Sequence, residues 1–257
     1  MNLNVISVNI RFNNPEDGVN AWPHRKSYLA EILHRHSPLI IATQEGRIDQ
    51  LREMESELND FELVAPHRSW INERMYPSFF LKKNTFKVIH SFDKWLSETP
   101  DLPGSKSFDS TFPRLMTGLI LSSINSNEEF FVVNTHFDHI KPSTRLGQAK
   151  VLCSEVSKLI QPHHHLILLG DYNDSPESET RKQIETCFPQ LTDCWAQFNS
   201  VEETSHHGFN SKINAGSRID WILVDKRIKT LESYMDKSHQ GELYPSDHYP
   251  IIAKLKV

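Results

Sequence analysis

The 257-residue sequence has no apolar run that approaches the roughly 20 residues needed for a membrane-spanning helix. It has three cysteines, an odd number without a CxxC pair, which argues against a disulfide framework or a structural zinc site. The net charge is −5 and no long run of Lys or Arg occurs, so a basic face for long duplexes is not expected. These absences favour a soluble protein with reduced thiols, no membrane partner and no strong binding of duplex DNA.

The sequence also lacks linkers, internal repeats and low-complexity segments. Its length lies near the upper limit for one hydrophobic core, which predicts a single domain over residues 1–257. The first residues, MNLNVISVNIR, contain no basic segment and no small-residue cleavage site, and their period of two is typical of a strand. We therefore expect a cytoplasmic location.

Apolar and β-branched runs bounded by Pro, Asn, Asp or Gly predict many strands and few helices. The predicted strands cover residues 4–11, 39–44, 61–65, 78–82, 86–96, 115–124, 129–136, 166–170, 218–224, 228–234 and 249–256. Helical spacing of apolar residues predicts helices over 22–35, 48–58 and 143–160. A fourth helix is predicted to begin at Ser175-Pro176, with Ser175 as the N-cap and Pro176 as the first helical residue.

Consecutive strands interrupted by single helices do not fit a doubly wound parallel sheet, in which strands and helices alternate strictly. They fit an α/β fold of two mixed sheets packed face to face, with helices outside. In such a sandwich the ends of the central strands converge on one edge, and residues placed there can form a site.

Polar residues interrupt or follow the apolar strands at several of these ends. They are Asn9, Glu45, His136, Asp138, Asp171, Asn173, Asp220, Asp247 and His248. The pairs His136/Asp138 and Asp171/Asn173 are spaced i, i+2, which in extended chain puts both side chains on one face. This spacing predicts convergence of polar groups rather than scattered surface residues.

Hydrolysis at phosphorus is the chemistry that such a set of residues suits. Mg²⁺ prefers oxygen ligands and is usually held by one or two carboxylates, a role open to Glu45 with one or two of the Asp and Asn residues. The ion screens the phosphate, while a carboxylate or imidazole deprotonates the attacking water. His248 is a natural base if Asp220 fixes its tautomer and raises its pKa.

Each residue taken alone also has a structural interpretation, since Asp after a strand is common in turns and caps. His163, His164 and His165 resemble a metal cluster, but three adjacent side chains in an extended segment cannot face one ion, which predicts a solvated loop. The pair His206-His207 lies in a loop before the Asp220 strand, and we take His207 as a candidate for substrate binding.

Six segments in order resemble the endonuclease/exonuclease/phosphatase superfamily, the deoxyribonuclease I-like fold. They are SVNIR, TQEG, VVNTHFDH, LLGDYND, SRIDWILV and SDHYPI, and together they span the chain from Asn9 to His248. Three further stretches, GVNAWPHRKSYLAEIL, WLSETPDLPGSKSFDSTFPR and THFDHIKPSTRLGQA, are similar to a bacterial branch nearer the deadenylase and nocturnin type than the abasic-site endonucleases.

The resemblance implies a four-layer α/β sandwich with its active site along one edge of the sheets. It places Asn9, Glu45 and Asp247 at the metal, with Glu45 as the main ligand. It places the catalytic work on Asp171, Asn173, His136 and on His248 oriented by Asp220. Family mechanisms differ on the general base, so that role is shared here between Asp171 and His248.

The sequence departs from the repair nucleases of the family at Arg11, where those enzymes have an acid. The change favours one tightly held metal ion and supplies a cation for substrate phosphate. Asp138 is a feature of the branch and is expected to orient His136 or reach a substrate hydroxyl. Arg114 and Arg145 are candidates for bidentate phosphate contacts, with surface salt bridges as the alternative.

The resulting hypothesis is a Mg²⁺-dependent hydrolase of phosphoester bonds, with Mn²⁺ as a substitute ion. The substrate is open between a short single-stranded nucleic acid and a small phosphate ester, such as a sugar, inositol or nucleotide phosphate. An alternative of another class is a phosphate-binding module that has lost catalysis; it would be expected to lose Glu45, Asp171 or His248 first.

Overall fold

A computed structural model describes residues 1–199, 201–210, 212 and 216–257. Its strands form two six-stranded mixed sheets. Labels follow chain order. The first sheet contains, in spatial order, β11 (Lys229–Met235), β12 (Ile251–Lys256), β1 (Asn2–Asn9), β2 (Ile40–Gly46), β4 (Tyr76–Lys82) and β3 (Phe61–Leu63). The second contains β5 (Phe86–Trp95), β6 (Leu115–Ser123), β7 (Glu129–His136), β8 (His165–Asp171), β10 (Asp220–Asp225) and β9 (Leu191–Asp193).

In the described part of the chain, four α-helices cover the outer faces of the two sheets. They are α1 (Trp22–Arg35), α2 (Ile48–Glu57), α3 (Pro142–Leu159) and α4 (Glu179–Cys187). Apolar residues of α1 and α2, such as Leu29 and Leu51, pack on Ile6 and Val8 of the first sheet. The outer face of the second sheet packs in the same way on α3 and α4. The fold is therefore the four-layer α/β sandwich that the sequence resemblance implied.

The inner faces of the two sheets form a third, purely intersheet core. Val5 and Ala42 of the first sheet belong to it together with Val132, Ile167 and Leu169 of the second. Every residue of β8 is buried, because alternate side chains of this strand enter either the intersheet core or the core under α3. A strand enclosed on both faces holds its last residue firmly, and that residue is Asp171.

Strand register brings the polar strand ends side by side. In the second sheet Asp171 pairs with His136 of β7 on one side and with Asp220 of β10 on the other. In the first sheet β1 runs parallel to β2, with Asn9 opposite Gln44. The same edge of the sandwich thus carries the chemistry-bearing residues of both sheets.

Some local predictions were wrong. Helix α4 begins at Glu179, not at Ser175-Pro176, because Ser178 caps it by accepting a hydrogen bond from the Arg181 amide. The preceding Ser175-Pro176 segment forms a turn instead. The sequence analysis also missed β9, an edge strand of three residues, and a 3-10 helix at Pro15–Asn20. Among the described residues, no helix is long and apolar enough to cross a bilayer.

Candidate active site

A cavity of about 660 Å³ opens at the shared edge of the two sheets. The predicted residues that line it are Arg11, Glu45, Arg114, His136, Asp171, Asn173, Asp247 and His248. Asn9 and Asp220 lie buried directly behind this wall, where each is hydrogen-bonded to a lining residue. The structure therefore gathers residues from both sheets, separated by most of the chain, around one cavity.

Glu45 is aimed into the cavity by an irregular end of β2. The register of β2 against β4 shifts between Thr43 and Gly46, and Glu45 has a positive φ of 67°. Such bulges redirect a side chain at the end of a strand. The Glu45 carboxylate accepts hydrogen bonds from Asn9 Nδ2 at 3.1 Å and from the Phe12 amide at 3.0 Å. Both donors are neutral, so its negative charge is left without a cationic partner among the described residues.

Asn9 links the two sheets across this site. Its Nδ2 donates both to Glu45 and, at 3.0 Å, to Asp171 Oδ2. Its Oδ1 accepts from the Arg11 amide at 2.9 Å. The side chain is fully buried, so its geometry is fixed by these bonds. Asn9 consequently sets the separation of the carboxylates of Glu45 and Asp171.

Asp171 is placed by a glycine that no other residue could replace without a shift. Gly170 has φ of 141°, and a Cβ there would lie 2.1 Å from the backbone oxygen of Thr135. Asp171 Oδ1 accepts from the Asn173 amide at 2.9 Å. Burial, followed by the nearby negative charge of Asp220, raises the pKa of Asp171 to about 7, against smaller opposing effects of His248 and Asn9.

Asn173 lines the cavity, but not for the reason that its spacing suggested. It has a positive φ of 52°, so the segment after Asp171 is not extended and the i, i+2 argument does not apply to it. Its Nδ2 donates to the backbone oxygen of Phe137 at 3.0 Å. That bond uses one of the two protons on Nδ2, and the other can be donated to a ligand.

His248 and Asp220 form a buried pair. His248 Nδ1 lies 2.8 Å from Asp220 Oδ2, which also accepts from the Ser205 hydroxyl at 2.7 Å. His248 Nε2 lies 3.9 Å from Asp171 Oδ2. Burial lowers the pKa of His248, but the charges of Asp220, Asp171 and Asp247 outweigh it and raise the pKa to about 10. The ring is a cation at neutral pH.

His136 occupies the other side of Asp171 and has the opposite electrostatic environment. Its Nε2 lies 3.4 Å from Asp171 Oδ2, and Arg114 Nη1 lies 3.0 Å from its Nδ1. Burial, and then the positive charge of Arg114, hold the pKa of His136 well below its usual value. Two histidines thus flank one carboxylate, with His248 charged and His136 neutral at pH 7.

Besides Asn9 and Asp220, three predicted residues do not line the cavity. Asp138 is fully buried and accepts hydrogen bonds from the amides of Thr111, Ile140 and Lys141, so it holds a loop instead of orienting His136. Arg145 pairs with Asp174 at 2.9 Å, the salt bridge that was the alternative for it.

The third such residue is His207, which is buried and stacks on Tyr249 with ring centroids 4.1 Å apart. Its neighbour His206 faces the cavity instead, with its ring 4.7 Å from that of His248. A β-bridge between His206 and His248 makes this stretch extended, so adjacent side chains point in opposite directions.

Further residues of the cavity wall carry no strand-end signal in the sequence. They are Phe12, Arg47, Asn72, Glu73, Arg74, Met75, Phe112, Pro113, His139, His206 and Ile219. Phe112 stacks on His139 with centroids 6.0 Å apart, and Arg47 lies over the ring of Phe12 at 5.2 Å. The sequence contains some signal for Arg47, which directly follows TQEG, and for His139 and Ile219, which lie inside VVNTHFDH and SRIDWILV.

The oxygen-rich side of the cavity fits a hard divalent cation. Glu45 has no cationic partner, and Asp247 Oδ2 has only the distant contacts of Arg11 Nε at 3.7 Å and His206 Nε2 at 3.8 Å. Donor atoms of His206, Asp247 and His248 lie within 4.8 Å of one another, as do those of Asp171, Asp220 and His248. Carboxylate and amide oxygens without compensating charge are the ligands that Mg²⁺ prefers.

Comparison with known proteins agrees with this geometry. Residues 6–248 match the model of the Endonuclease/Exonuclease/phosphatase family, and the chain belongs to that family. Its members are phosphoester hydrolases, and the fold described above is theirs.

Three proteins illustrate the similarity. An endonuclease/exonuclease/phosphatase from Bacteroides vulgatus superimposes with a TM-score of 0.90 at 23% identity, covering 100% of this chain and 99% of that one. A mannosyl-6-phosphatase from Bacteroides thetaiotaomicron gives a TM-score of 0.86 at 25% identity, covering 99% and 100%. The uncharacterized protein L388 of Acanthamoeba polyphaga mimivirus is 28% identical over 184 residues; the match spans 67% of this chain and 66% of the viral protein, just under two thirds of its length.

Proposed function

We propose that this protein hydrolyses phosphoester bonds with the help of a divalent cation, Mg²⁺, for which Mn²⁺ substitutes. The observation that carries the proposal is the position of Asp171. This buried carboxylate lies between His136 and His248 and is bonded through Asn9 to Glu45, all at one cavity. The cavity wall also carries Glu45, which has no cationic partner among the described residues, and the hydrogen-bond donors of Arg114 and His248.

Glu45 and Asp247 would hold the metal ion, with Asn9 fixing Glu45. When bound, the ion would neutralise charge on the phosphate and stabilise the leaving oxygen. The metal side is thus supplied chiefly by the first sheet and by the segment that leads into β12.

The protein's own donors surround the place left for the phosphate. The Asn173 amide, Arg114 and His136 present hydrogen bonds to phosphate oxygens, and they need no rearrangement because His136 and Arg114 are already buried and bonded together. The cationic His248 ring, fixed by Asp220, stabilises the charge that develops on phosphorus oxygens. A water held beside Asp171 Oδ2 and His248 Nε2 would give its proton to Asp171, because the His248 ring is already protonated at neutral pH.

Hydrolysis of bis(p-nitrophenyl) phosphate tests the proposal directly. We expect turnover with Mg²⁺ or Mn²⁺ and none in EDTA. The Asp171→Asn and His248→Ala variants should lose it, whereas Asp49→Asn, an exposed acid of α2, should keep it. Metal-independent turnover, or activity that survives both active-site changes, would contradict the proposal. Complete inactivity of the wild-type protein on all phosphoesters would instead favour the binding module.

Within this class, a small phosphate ester is the substrate type that we favour over a nucleic acid. The supporting observation is the similarity at 25% identity, over nearly the whole length of both chains, to a protein named a mannosyl-6-phosphatase. The net charge of −5 also weighs against long nucleic acids. A panel of sugar phosphates, nucleotides and short single-stranded RNA and DNA, compared by kcat/KM, distinguishes the two. Preference for the oligonucleotides would reverse the choice.

A further inference from the structure

The arginines of this protein divide sharply by their partners. Of the twelve arginines in the sequence, eight form ion pairs with a carboxylate. These are Arg11, Arg35, Arg52, Arg68, Arg145, Arg181, Arg218 and Arg227. Arg25 is buried and donates instead to the backbone oxygens of Asn20, Ile10, Pro245 and Arg11.

The remaining three arginines are Arg47, Arg74 and Arg114. None of them has a carboxylate oxygen within 4.0 Å in the part of the chain that the structure describes. All three line the same cavity. The Nε atoms of Arg47 and Arg114 are also buried without a hydrogen-bond partner. Buried donors of this kind are costly to leave unpaired, so their concentration at one cavity indicates an anionic occupant.

The three arginines come from different sheets. Arg114 precedes β6 in the second sheet and contacts His136, beside the place proposed for the scissile phosphate. Arg47 and Arg74 come from the first sheet. Gly46 of β2 pairs with Tyr76 of the antiparallel strand β4. Arg47 follows Gly46 and Arg74 lies two residues before Tyr76, so both arginines lie at the same end of this strand pair. Each sheet therefore supplies at least one arginine without a carboxylate partner to the cavity.

The charges around Arg47 and Arg74 do not cancel. In the segment 72–75, which lines the cavity, Glu73 is the one charged residue besides Arg74, and it is exposed. Glu45 and Asp247 face the proposed metal ion. Two phenylalanines add aromatic surface beside the arginines: the Arg47 guanidinium lies over Phe12 at 5.2 Å and that of Arg114 over Phe112 at 5.7 Å, and Phe112 is 42% exposed. The wall thus combines cationic groups with apolar surface.

We infer that Arg47 and Arg74 form a second anion-binding subsite, and that the substrate carries a second phosphoryl group besides the one that is hydrolysed. The inference rests on the proposed function and narrows it to the substrate class of bisphosphorylated small molecules. Guanidinium groups suit this role because they bind phosphate in a bidentate manner. Such a compound would place one phosphate at Arg114 and His136, its organic part against the phenylalanines, and the other phosphate at Arg47 and Arg74.

Equilibrium binding tests the inference without requiring turnover. Calorimetric titrations would use the Asp171→Asn protein with a fixed concentration of free Mg²⁺, and His248→Gln as a second background. Two pairs of probes are compared: adenosine 3′,5′-bisphosphate with adenosine 5′-monophosphate, and fructose 1,6-bisphosphate with fructose 6-phosphate. We expect one bisphosphate at least to bind about tenfold to hundredfold more tightly than its monophosphate, as charged hydrogen bonds would give.

The double change Arg47→Gln/Arg74→Gln in the same background should reduce that ratio to near one. The matched control is Arg52→Gln, which removes an arginine paired with Glu55 on the outer surface of α2. It should leave the ratio unchanged. Equal affinities for mono- and bisphosphates, or a ratio that the double change does not alter, would overturn the inference. Which pair shows the preference distinguishes a nucleotide from a sugar, and hydrolysis by the wild-type protein is a separate measurement that decides the proposed function.

Discussion

Histidines and carboxylates lie at both ends of strand β8, but they are paired differently at each end. At its beginning, His163, His164 and His165 face Glu128 and Glu129; at its end, Asp171 faces His136 and His248. At the first end, His165 and His163 pair with different carboxylates: His165 Nε2 lies 2.7 Å from Glu128 and His163 Nε2 lies 3.0 Å from Glu129. At the second end, one buried carboxylate is shared between two buried imidazoles.

The three histidines also show why proximity alone does not make a metal site. Donor atoms of Glu129, His163 and His164 lie within 4.8 Å of one another. However, His164 Nδ1 accepts a hydrogen bond from the Gln161 amide at 3.1 Å, so the proton of the neutral ring is on Nε2, the atom that faces Glu129. That nitrogen has no lone pair to offer an ion. The prediction of a solvated loop was wrong for His164 and His165, which are buried.

The largest difference between the two ends should appear in catalysis. Asp171→Asn is expected to lower kcat/KM for bis(p-nitrophenyl) phosphate about a thousandfold, because it removes a group that contacts both histidines and the water. The corresponding change at the other end, His165→Gln, should leave kcat/KM within about twofold. A large loss in the His165 variant with an intact fold would show that the two ends are functionally coupled.

The backbone just before Asp171 should be equally intolerant of change. Gly170→Ala would put a Cβ against the Thr135 oxygen at a φ that alanine rarely adopts, and we expect a loss of about 3 kcal/mol or more in the free energy of unfolding. Gly241→Ala is the control, since Gly241 also has a positive φ but nothing lies within 4 Å of its added Cβ. Gly241→Ala should lower the free energy of unfolding by about 1 kcal/mol. Urea denaturation measures both, and equal costs would refute the steric argument.

Metal binding should stabilise the protein through residues near the Asp171 end of β8 only. With EDTA replaced by Mg²⁺ at about a hundred times its dissociation constant, the free energy of unfolding should rise by about 2.7 kcal/mol. Glu45→Gln should abolish this gain, and His163→Gln/His164→Gln should not affect it. If instead the double histidine variant lost the stabilisation, the ion would be held at the beginning of β8.

The unusual pKa of Asp171 predicts a dependence of stability on pH. A folded pKa of about 7 lies above the ordinary value of 3.8, so the folded protein binds the proton more tightly and loses stability as pH rises between these values. In EDTA, Asp171→Asn should therefore be about 1 to 3 kcal/mol more stable than wild type at pH 8. The two proteins should converge near pH 4. Unfolding curves with no such convergence would show that Asp171 ionises freely.

The smallest effect is expected from the ion pairs at the beginning of β8. Glu128→Gln removes the partner of His165, but the Glu128 side chain is 39% exposed and well solvated. Its loss should change the free energy of unfolding by less than about 1 kcal/mol. A cost comparable to that of Gly170→Ala would mean that the two ends are not as different as their burial suggests.

Much of the fold could be predicted because hydrophobic runs determine it. Segments such as LILLG in β8 are apolar enough to be buried on both faces, and their polar ends marked Asp171, Glu45 and Asn9. The three-residue strand β9 and the start of α4 could not be predicted, because they depend on pairing with β10 and on whether Ser175 or Ser178 caps the helix.

The composition of the site was less predictable where it depends on local backbone geometry. Whether His206 or His207 faces the cavity is fixed only by the bridge to His248, which links residues 42 apart by number. Glu45 reaches the cavity through a bulge, and Asn173 through a left-handed conformation. Arg47 and Arg74 line the same cavity because β2 pairs with β4, and no spacing along the chain indicates that arrangement.

The hydrogen bonds of Asn9 bear on when the active site forms during folding. Asn9 lies in the first strand, whereas Asp171 and His248 belong to segments made much later, and β1 has β12 and β2 on either side. Contacts of such long sequence separation form late in folding. A ribosome-bound or partly folded chain therefore has no complete active site, and hydrolytic activity would begin only when the last strand is in place. The appearance of activity would then report the end of folding.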